Sequence, residues 1–364
     1  MGRHRPSFFR RKADRLSALA QKMLRIIRLE GWGSLFRKIK EKARIKNVAA
    51  GLIKSGETIL PEKWLQENRN NFSNPFYVLL RHLVDLDAQL KNAAPLSCSD
   101  YRNYFKERCF INGLPFEITP VTVEDKKDIT EFIAAFDHAY LGKMIQHVFI
   151  ALIKYLSDSR GQINLLDFGT GSTCGMFGEG GRFLFENGKV NINSINFFGI
   201  DDLHKPQGAI FKKSTYRQCN ILSFNPDERF DLITGHHVLE HCYNWEDVIT
   251  HVSRLLKQGG YLYLSFPRFG GFYDTAYRLM SISDHCANFD VDKLAHFSKT
   301  VGLELCLSDV YVDPNGGFNW ISNLYPDLVN RETADCFYNL CLRIDSKLPL
   351  GYHHYGHYVV FRKV

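Results

Sequence analysis

The chain has no run approaching the roughly 18 to 20 uninterrupted apolar residues that a membrane-spanning helix needs, so no spanning helix is expected. Its nine cysteines are scattered, none in a CxxC pair, and the nearest two, Cys336 and Cys341, lack metal-ribbon spacing. This usage argues against a disulfide framework and against an iron–sulfur radical centre. It fits reduced, mostly buried thiols in a cytoplasmic protein. There is no internal repeat and no low-complexity run. The first residues lead from Met1 into arginines rather than into an apolar core, so no secretory signal is expected. Acids are scarce in one segment: residues 1–46 hold only Asp14, Glu30 and Glu41 against fifteen lysines and arginines, a balance of +12. The whole chain is +7, which leaves −5 for everything after residue 46. The basicity belongs to a segment, not to the protein.

What is present is ordinary in bulk. The 364 residues are 45% hydrophobic and 23% charged, which suits a soluble globular protein of about two domains. In the basic segment, Leu16, Leu19, Met23, Ile26, Ile27, Leu35, Phe36 and Ile39 recur at near-helical spacing between arginines and lysines. Gly31 and Gly33, around Trp32, divide it into two helices. Such a helical pair can pack on its own domain, lie on an anionic membrane surface, grip nucleic-acid phosphates or dock a partner. A peripheral position at the inner face of a membrane is therefore an open expectation for a cytoplasmic protein.

Three regions follow: a basic amphipathic helical arm over 1–46, a mostly helical region over 47–157, and an α/β domain over 158–364. In the second, the pattern predicts a helix over Phe76–Leu90 and one or two helices over Ile129–Leu156. Arg108–Val123, with Gly113, Pro115 and Pro120, reads as a turn between short strands. Asn74-Pro75-Phe76-Tyr77 reads as a cap and turn at a helix start. In the third region, strands are expected over Ile163–Phe168, Ile195–Ile200, Phe230–Thr234, Gly260–Phe266, Glu304–Val312 and Tyr358–Arg362, with helices over Trp245–Leu256 and Val291–Val301. Alternation of this kind predicts a largely parallel sheet covered on both faces.

The chemistry gathers at the ends of these strands. The first ends in Leu165-Leu166-Asp167-Phe168-Gly169-Thr170-Gly171, where glycines let the backbone turn tightly and approach a ligand. The next ends in Phe198-Gly199-Ile200-Asp201, and an acid there can accept both hydroxyls of a ribose. A nicotinamide dehydrogenase would need glycine at Cys174 and an acid about 20 residues on; neither is present. Further along stand Phe230-Asp231-Leu232-Ile233, His236 to His241 (HHVLEH) and Leu255-Leu256-Lys257-Gln258-Gly259-Gly260.

This ordered series, over about Asn164 to Leu305, resembles the class I S-adenosylmethionine-dependent methyltransferases, particularly their small-molecule and sugar-type branch. The resemblance implies a Rossmann-like sheet with helices on both faces and S-adenosylmethionine as cofactor. It implies that Gly169 and Gly171 line the methionine and ribose portions and that Asp167 supports the loop or meets the amino group. Asp201 would hold the ribose diol. Asn220 would stand at the adenine amino group, Ile221 against the ring, and His236 near the methionyl part. Asn220 occupies a position that often carries Asp, an amide oxygen being the weaker acceptor. Thr173 takes the place of the third glycine, and Gly169 and Asp201 are 32 positions apart, which implies an insertion. Gly175–Gly188, rich in glycine, is expected to form it as a flexible flap.

His237, Glu240 and His241 would share one face if the run opens a helix. With His285 they are similar to a metal site in ubiquinone-type and small-RNA methyltransferases, so a divalent ion is one expectation. Catalytic or substrate-contacting histidines without metal (His241, His285 or His237 taking a proton) and plain packing are the others. Near the C-terminus, the aromatic and imidazole run Tyr352–His357 reads as a surface turn, or as a platform for a sugar or base. The leading reading is an O-methyltransferase acting on a glycan, sugar-nucleotide or lipid-linked small molecule. An RNA 2′-O-methyltransferase is the runner-up, and a non-catalytic methyltransferase-like binding subunit is the third.

Overall fold

The computed structural model describes residues 75–118, 122–269, 274, 285–287, 289–312, 339–348 and 355–364, without the side chains of 75–80, 137–147, 312 and 355. All lie in one compact unit, Pro61–Asn319 with Cys336–Val364. The basic arm over 1–46 lies outside the described residues, as do Asn74 and 351–354. Among the described residues, no helix is long and apolar enough to cross a membrane.

In chain order, α1 (Pro75–Gln89), α2 (Cys98–Lys106), the two-residue β1 (Phe110–Ile111) and α3 (Ile129–Arg160) come first. There follow β2 (Ile163–Phe168), α4 (Arg182–Asn187), β3 (Ile195–Asp201), β4 (Lys213–Gln218) and β5 (Phe230–His236). Last are α5 (Trp245–Leu255), β6 (Leu256–Pro267), α6 (Val291–Thr300), β7 (Leu303–Val312) and β8 (Tyr355–Lys363). The strands form one eight-stranded sheet in the order β1-β7-β8-β6-β5-β2-β3-β4. Strands β2 to β6 are parallel, and β8 runs antiparallel between β6 and β7.

Period-two side-chain alternation explains why the sheet is covered on both faces. In β2, Ile163 and Leu165 join one core while Leu166 and Phe168 join the other. In β6, Tyr261 and Tyr263 face the first core, and Leu262, Leu264 and Phe266 the second. The long helix α3 supplies Phe132, Ile133, Phe136, Phe149, Leu152, Ile153 and Leu156 to the first. It starts at Asp128, whose carboxylate accepts the Thr130 and Glu131 N–H groups, and ends at Gly161 with φ +74°. Helices α5 and α6 cover the second face with Trp245, Val248, Ile249, Val252, Leu255 and Leu294.

At the edge of the sheet where the parallel strands begin, Asp231 is buried. It accepts from Arg160 Nη1 at 2.6 Å, Lys257 Nζ at 2.7 Å and the Asn164 N–H at 2.8 Å. Burial alone would raise its pKa, but these donors outweigh burial and hold it below the usual carboxylate range. The Asp of the Phe230-Asp231-Leu232-Ile233 motif is thus an anchor tying the end of α3 to the start of β6.

Two expectations are corrected, and one strand is added. The segment 175–188 is not a flexible flap: it forms two 3-10 turns and α4, with Phe177 and Phe185 in the first core. Phe177 packs on Phe149, Phe197 and Phe211 with ring centroids 5.1 to 6.1 Å apart. The aromatic side chains decide the outcome over the glycines. The run from His237 to His241 is not an α-helix. His237 has φ +48°, and only Leu239–His241 turn, in a 3-10 geometry that does not stack residues 237 and 241. Finally, β4 is a strand that the alternation did not announce, because its residues are polar and mostly exposed.

Candidate active site

The chain order of the strands reverses between β2 and β5: β3 and β4 extend the sheet to one side, β6 and its neighbours to the other. Ligands of open α/β sheets bind in the crevice beyond the carboxyl ends of the strands at such a point. A cleft of about 180 Å³ lies there, lined by residues at the ends of β2 and β3 and by the segments that follow β2, β3, β4 and β5. Phe168, Ile200, Ile221 and Val248 make it apolar, while Asp201, Asp202 and Asn220 give it a polar side. Gly169, His241, Cys242 and Tyr243 complete the rim.

The turn after β2 requires its glycines. Gly169 has φ +70°, and a Cβ there would meet Val238 Cγ2 at 2.4 Å; Gly171 has φ +68°. Asp201 holds this turn in place. Its Oδ2 accepts the Gly171 N–H at 2.9 Å, and its Oδ1 accepts the Leu203 and His204 N–H groups at 2.9 and 2.8 Å. A carboxylate offers about four acceptor positions, so three backbone donors leave room for one hydroxyl. Asp167 is buried beneath, accepting from Thr234 Oγ1 at 2.7 Å. Burial, with a smaller effect of the Asp201 charge, pushes its pKa up to about 7. Asn220 borders the cleft, but its side-chain oxygen accepts the Leu222 N–H at 2.9 Å and caps the turn over Ile221–Ser223.

Of the residues singled out in the sequence, Gly169, Asp201, Asn220, Ile221 and His241 line the cleft. Gly171 joins them through its bond to Asp201. His236 turns to the opposite face, where its Nδ1 pairs with Ser265 Oγ at 2.7 Å among Phe149 and Tyr263. Burial holds its pKa down to about 3, so it is neutral at any physiological pH.

Glu240, His241 and His285 come together, one ligand atom from each within 4.8 Å of the others. His237 stands outside that group. Its Nε2 meets the Tyr311 hydroxyl of β7, and its Nδ1 lies 3.3 Å from Glu240 Oε1. Glu240 is 4% exposed, and neither carboxylate oxygen has a hydrogen-bond partner. The His285 ring is 4.8 Å from that of His241, and its Nδ1 pairs with Asp274 Oδ1 at 3.0 Å, both residues being buried. The Ala287 N–H donates to the Glu240 carbonyl at 3.1 Å and fastens the two segments side by side. Tyr311 and Asp274 had no sequence signal, since each reaches its histidine from a distant part of the chain.

A family model described as a methyltransferase domain matches residues 140–307. No curated protein matches the chain. Among solved structures, a phosphoethanolamine N-methyltransferase 2 from Haemonchus contortus is 13% identical, with a TM-score of 0.38. That match covers 64% of this chain and 57% of the other, so the chain spans little more than half the length of that enzyme. A putative sarcosine dimethylglycine methyltransferase from Galdieria sulphuraria is 14% identical, covering 73% and 98% of the two chains with a TM-score of 0.38. YcgJ from Bacillus subtilis is 12% identical over 60% and 98%, with a TM-score of 0.39. These likenesses are too distant to assign a substrate. The family match over residues 140–307 and the motif series over about Asn164 to Leu305 agree on a methyltransferase domain in this part of the chain.

Proposed function

We propose that the chain methylates a hydroxyl group on a glycan, sugar-nucleotide or lipid-linked small molecule. The observation that carries this reading is the meeting of the cleft with a row of three side chains, His241, His285 and Asp274. The cleft's own residues fit an adenosyl group. Gly169 supplies the positive φ that turns the backbone at the rim of the cleft, Ile200 and Ile221 offer apolar surface, and Asp201 has acceptor capacity beyond its three backbone donors. S-adenosylmethionine supplies an electrophilic methyl group on a sulfonium. The protein's part is to hold the acceptor hydroxyl in line with it and to take the proton. His241, on the rim of the cleft, accepts that proton. His285 stands behind it, its tautomer fixed by Asp274.

The orphaned carboxylate of Glu240 favours a second reading of the same group. Glu240, His241 and His285 would supply three ligands to a divalent ion, and Asp274 would orient His285 from behind, as carboxylates commonly do for ligating imidazoles. Such an ion would bind the acceptor oxygen and favour its deprotonated form.

The test is incubation of the full chain with methyl-labelled S-adenosylmethionine and extract fractions of its source organism, with identification of the labelled product. A labelled ether on a small acceptor is expected. Label on RNA would transfer the reading to the runner-up, and no transfer despite cofactor binding would leave a binding subunit. Asp201→Asn should weaken S-adenosylhomocysteine binding by about 2 kcal/mol, measured by calorimetry, because a charged acceptor is lost. Full activity in excess chelator, with no metal by elemental analysis, would remove the metal reading.

A further inference from the structure

At about 180 Å³, the cleft is smaller than the roughly 300 to 1,000 Å³ of pockets that enclose a whole small ligand. A nucleoside seated in it keeps one face toward solvent unless a further side chain covers that face. The buried Ile221 supplies an inner wall, with Ile200 and Val248. Polar recognition of the base is limited, because the Asn220 side-chain oxygen already accepts the Leu222 N–H at 2.9 Å.

Tyr243 is placed to supply the cover. It lines the cleft and is yet 85% exposed, the most exposed large hydrophobic side chain among the described residues. No hydrogen bond, ion pair or ring contact among those residues holds it. Its neighbours, by contrast, are fixed. On one side the Cys242 thiol donates to the Val238 carbonyl at 3.5 Å. On the other, the buried Trp245 ring lies 5.2 Å from that of Phe289 and 5.4 Å from that of Phe297. The backbone at Tyr243 is therefore held while its ring is free to change rotamer, which needs no loop movement. Its place along the cleft follows from α5. Tyr243 stands two residues before that helix, whose Val248 lines the cleft. The same helix packs on the turn over Ile221–Ser223, where His251 Nε2 donates to the Phe224 carbonyl at 3.0 Å. Tyr243 thus belongs to the end of the cleft occupied by Asn220 and Ile221.

We infer that Tyr243 closes over the adenine of bound S-adenosylmethionine, its ring stacked on the outer face of the base while Ile221 lies against the inner one. A tyrosine brings a large flat surface to such a contact at the cost of only two side-chain torsions. A stacked ring reads the face of a base and not its hydrogen-bonding edge. The inference rests on the methyltransferase reading and deepens it at the cofactor. Tyr243 falls outside the ordered motifs that carry the family resemblance.

Calorimetry of the full chain with S-adenosylhomocysteine, its inosine analogue and adenosine alone tests it. Tyr243→Ala should weaken S-adenosylhomocysteine and adenosine alike, each about tenfold, as removing an aromatic partner from a base does. The inosine analogue should lose affinity by the same factor. Tyr243→Phe should bind all three as the wild type does, since the ring and not the hydroxyl makes the contact. The side chain is exposed, so both variants fold, and unchanged melting temperatures check this. Equal binding by the alanine variant overturns the inference, as does a phenylalanine variant that loses as much as the alanine one. A loss for S-adenosylhomocysteine that adenosine does not share also overturns it, because the ring would then act away from the base. Failure of the wild-type chain to bind S-adenosylhomocysteine overturns the methyltransferase reading and the inference with it, a result that no Tyr243 variant can mimic.

Discussion

Asp167 shows how much a single buried carboxyl can reveal. Its folded pKa of about 7 exceeds the unfolded value because burial disfavours the charge. The folded state therefore binds more protons than the unfolded state between about pH 4 and 7. The stability this gives is complete below the unfolded pKa and is lost as pH rises through about 7. Asp167→Asn, neutral throughout, should flatten the rise in melting temperature on acidification from pH 8 to pH 5. A variant that keeps the wild-type slope would place that titration elsewhere. The same scale shows where sequence reading ends. The glycines at 169 and 171 and the acid at 201 were legible because backbone turns and strand ends leave local marks. The partners of the histidines were not. Tyr311 is 74 positions from His237, and Asp274 serves a histidine that itself reaches Glu240 from another loop.

At the scale of elements, the strands that alternate apolar residues or lie wholly buried were readable to within a few residues, with Ile163–Phe168 coinciding. The polar edge strand β4 was not, since its inward positions, Ser214 and Tyr216, are only half-buried and the residues around them are polar, so no apolar alternation shows. The inserted segment misled for the opposite reason. Its glycines suggest freedom, yet Phe177 is 1% exposed and sits among four aromatic rings. Phe177→Ala should cost about 3–5 kcal/mol of stability by denaturant unfolding, the usual range for a buried phenylalanine. A loss below about 1 kcal/mol would mean the segment moves freely. The insertion therefore belongs to the scaffold that supports the turn after β2, and the long spacing between Gly169 and Asp201 is filled with core.

For the whole molecule, the charge asymmetry is the feature that the described residues leave to experiment. Residues 1–46 carry +12 and a stripe of apolar residues at helical spacing. We propose that they bring the protein to an anionic membrane surface, where each basic residue adds on the order of 1 kcal/mol. Deleting 1–46 should abolish sedimentation with phosphatidylglycerol vesicles and leave S-adenosylhomocysteine affinity unchanged. Loss of RNA binding instead, with vesicles indifferent, would assign the segment to nucleic acid. An insoluble product without cofactor binding would show that the stripe covers the protein's own core.

The position of β8 sets the order of events during synthesis. β6 and β7 precede it along the chain, yet they never pair with each other, because β8 lies between them and bonds to both. A nascent chain that has emerged as far as β7 therefore holds two open ladder edges side by side, with the wedge that joins them still to come. Such edges invite pairing with other chains. The sheet closes only when β8 pairs with both neighbours, so a chain without β8 would carry two unpaired ladder edges in the middle of its sheet.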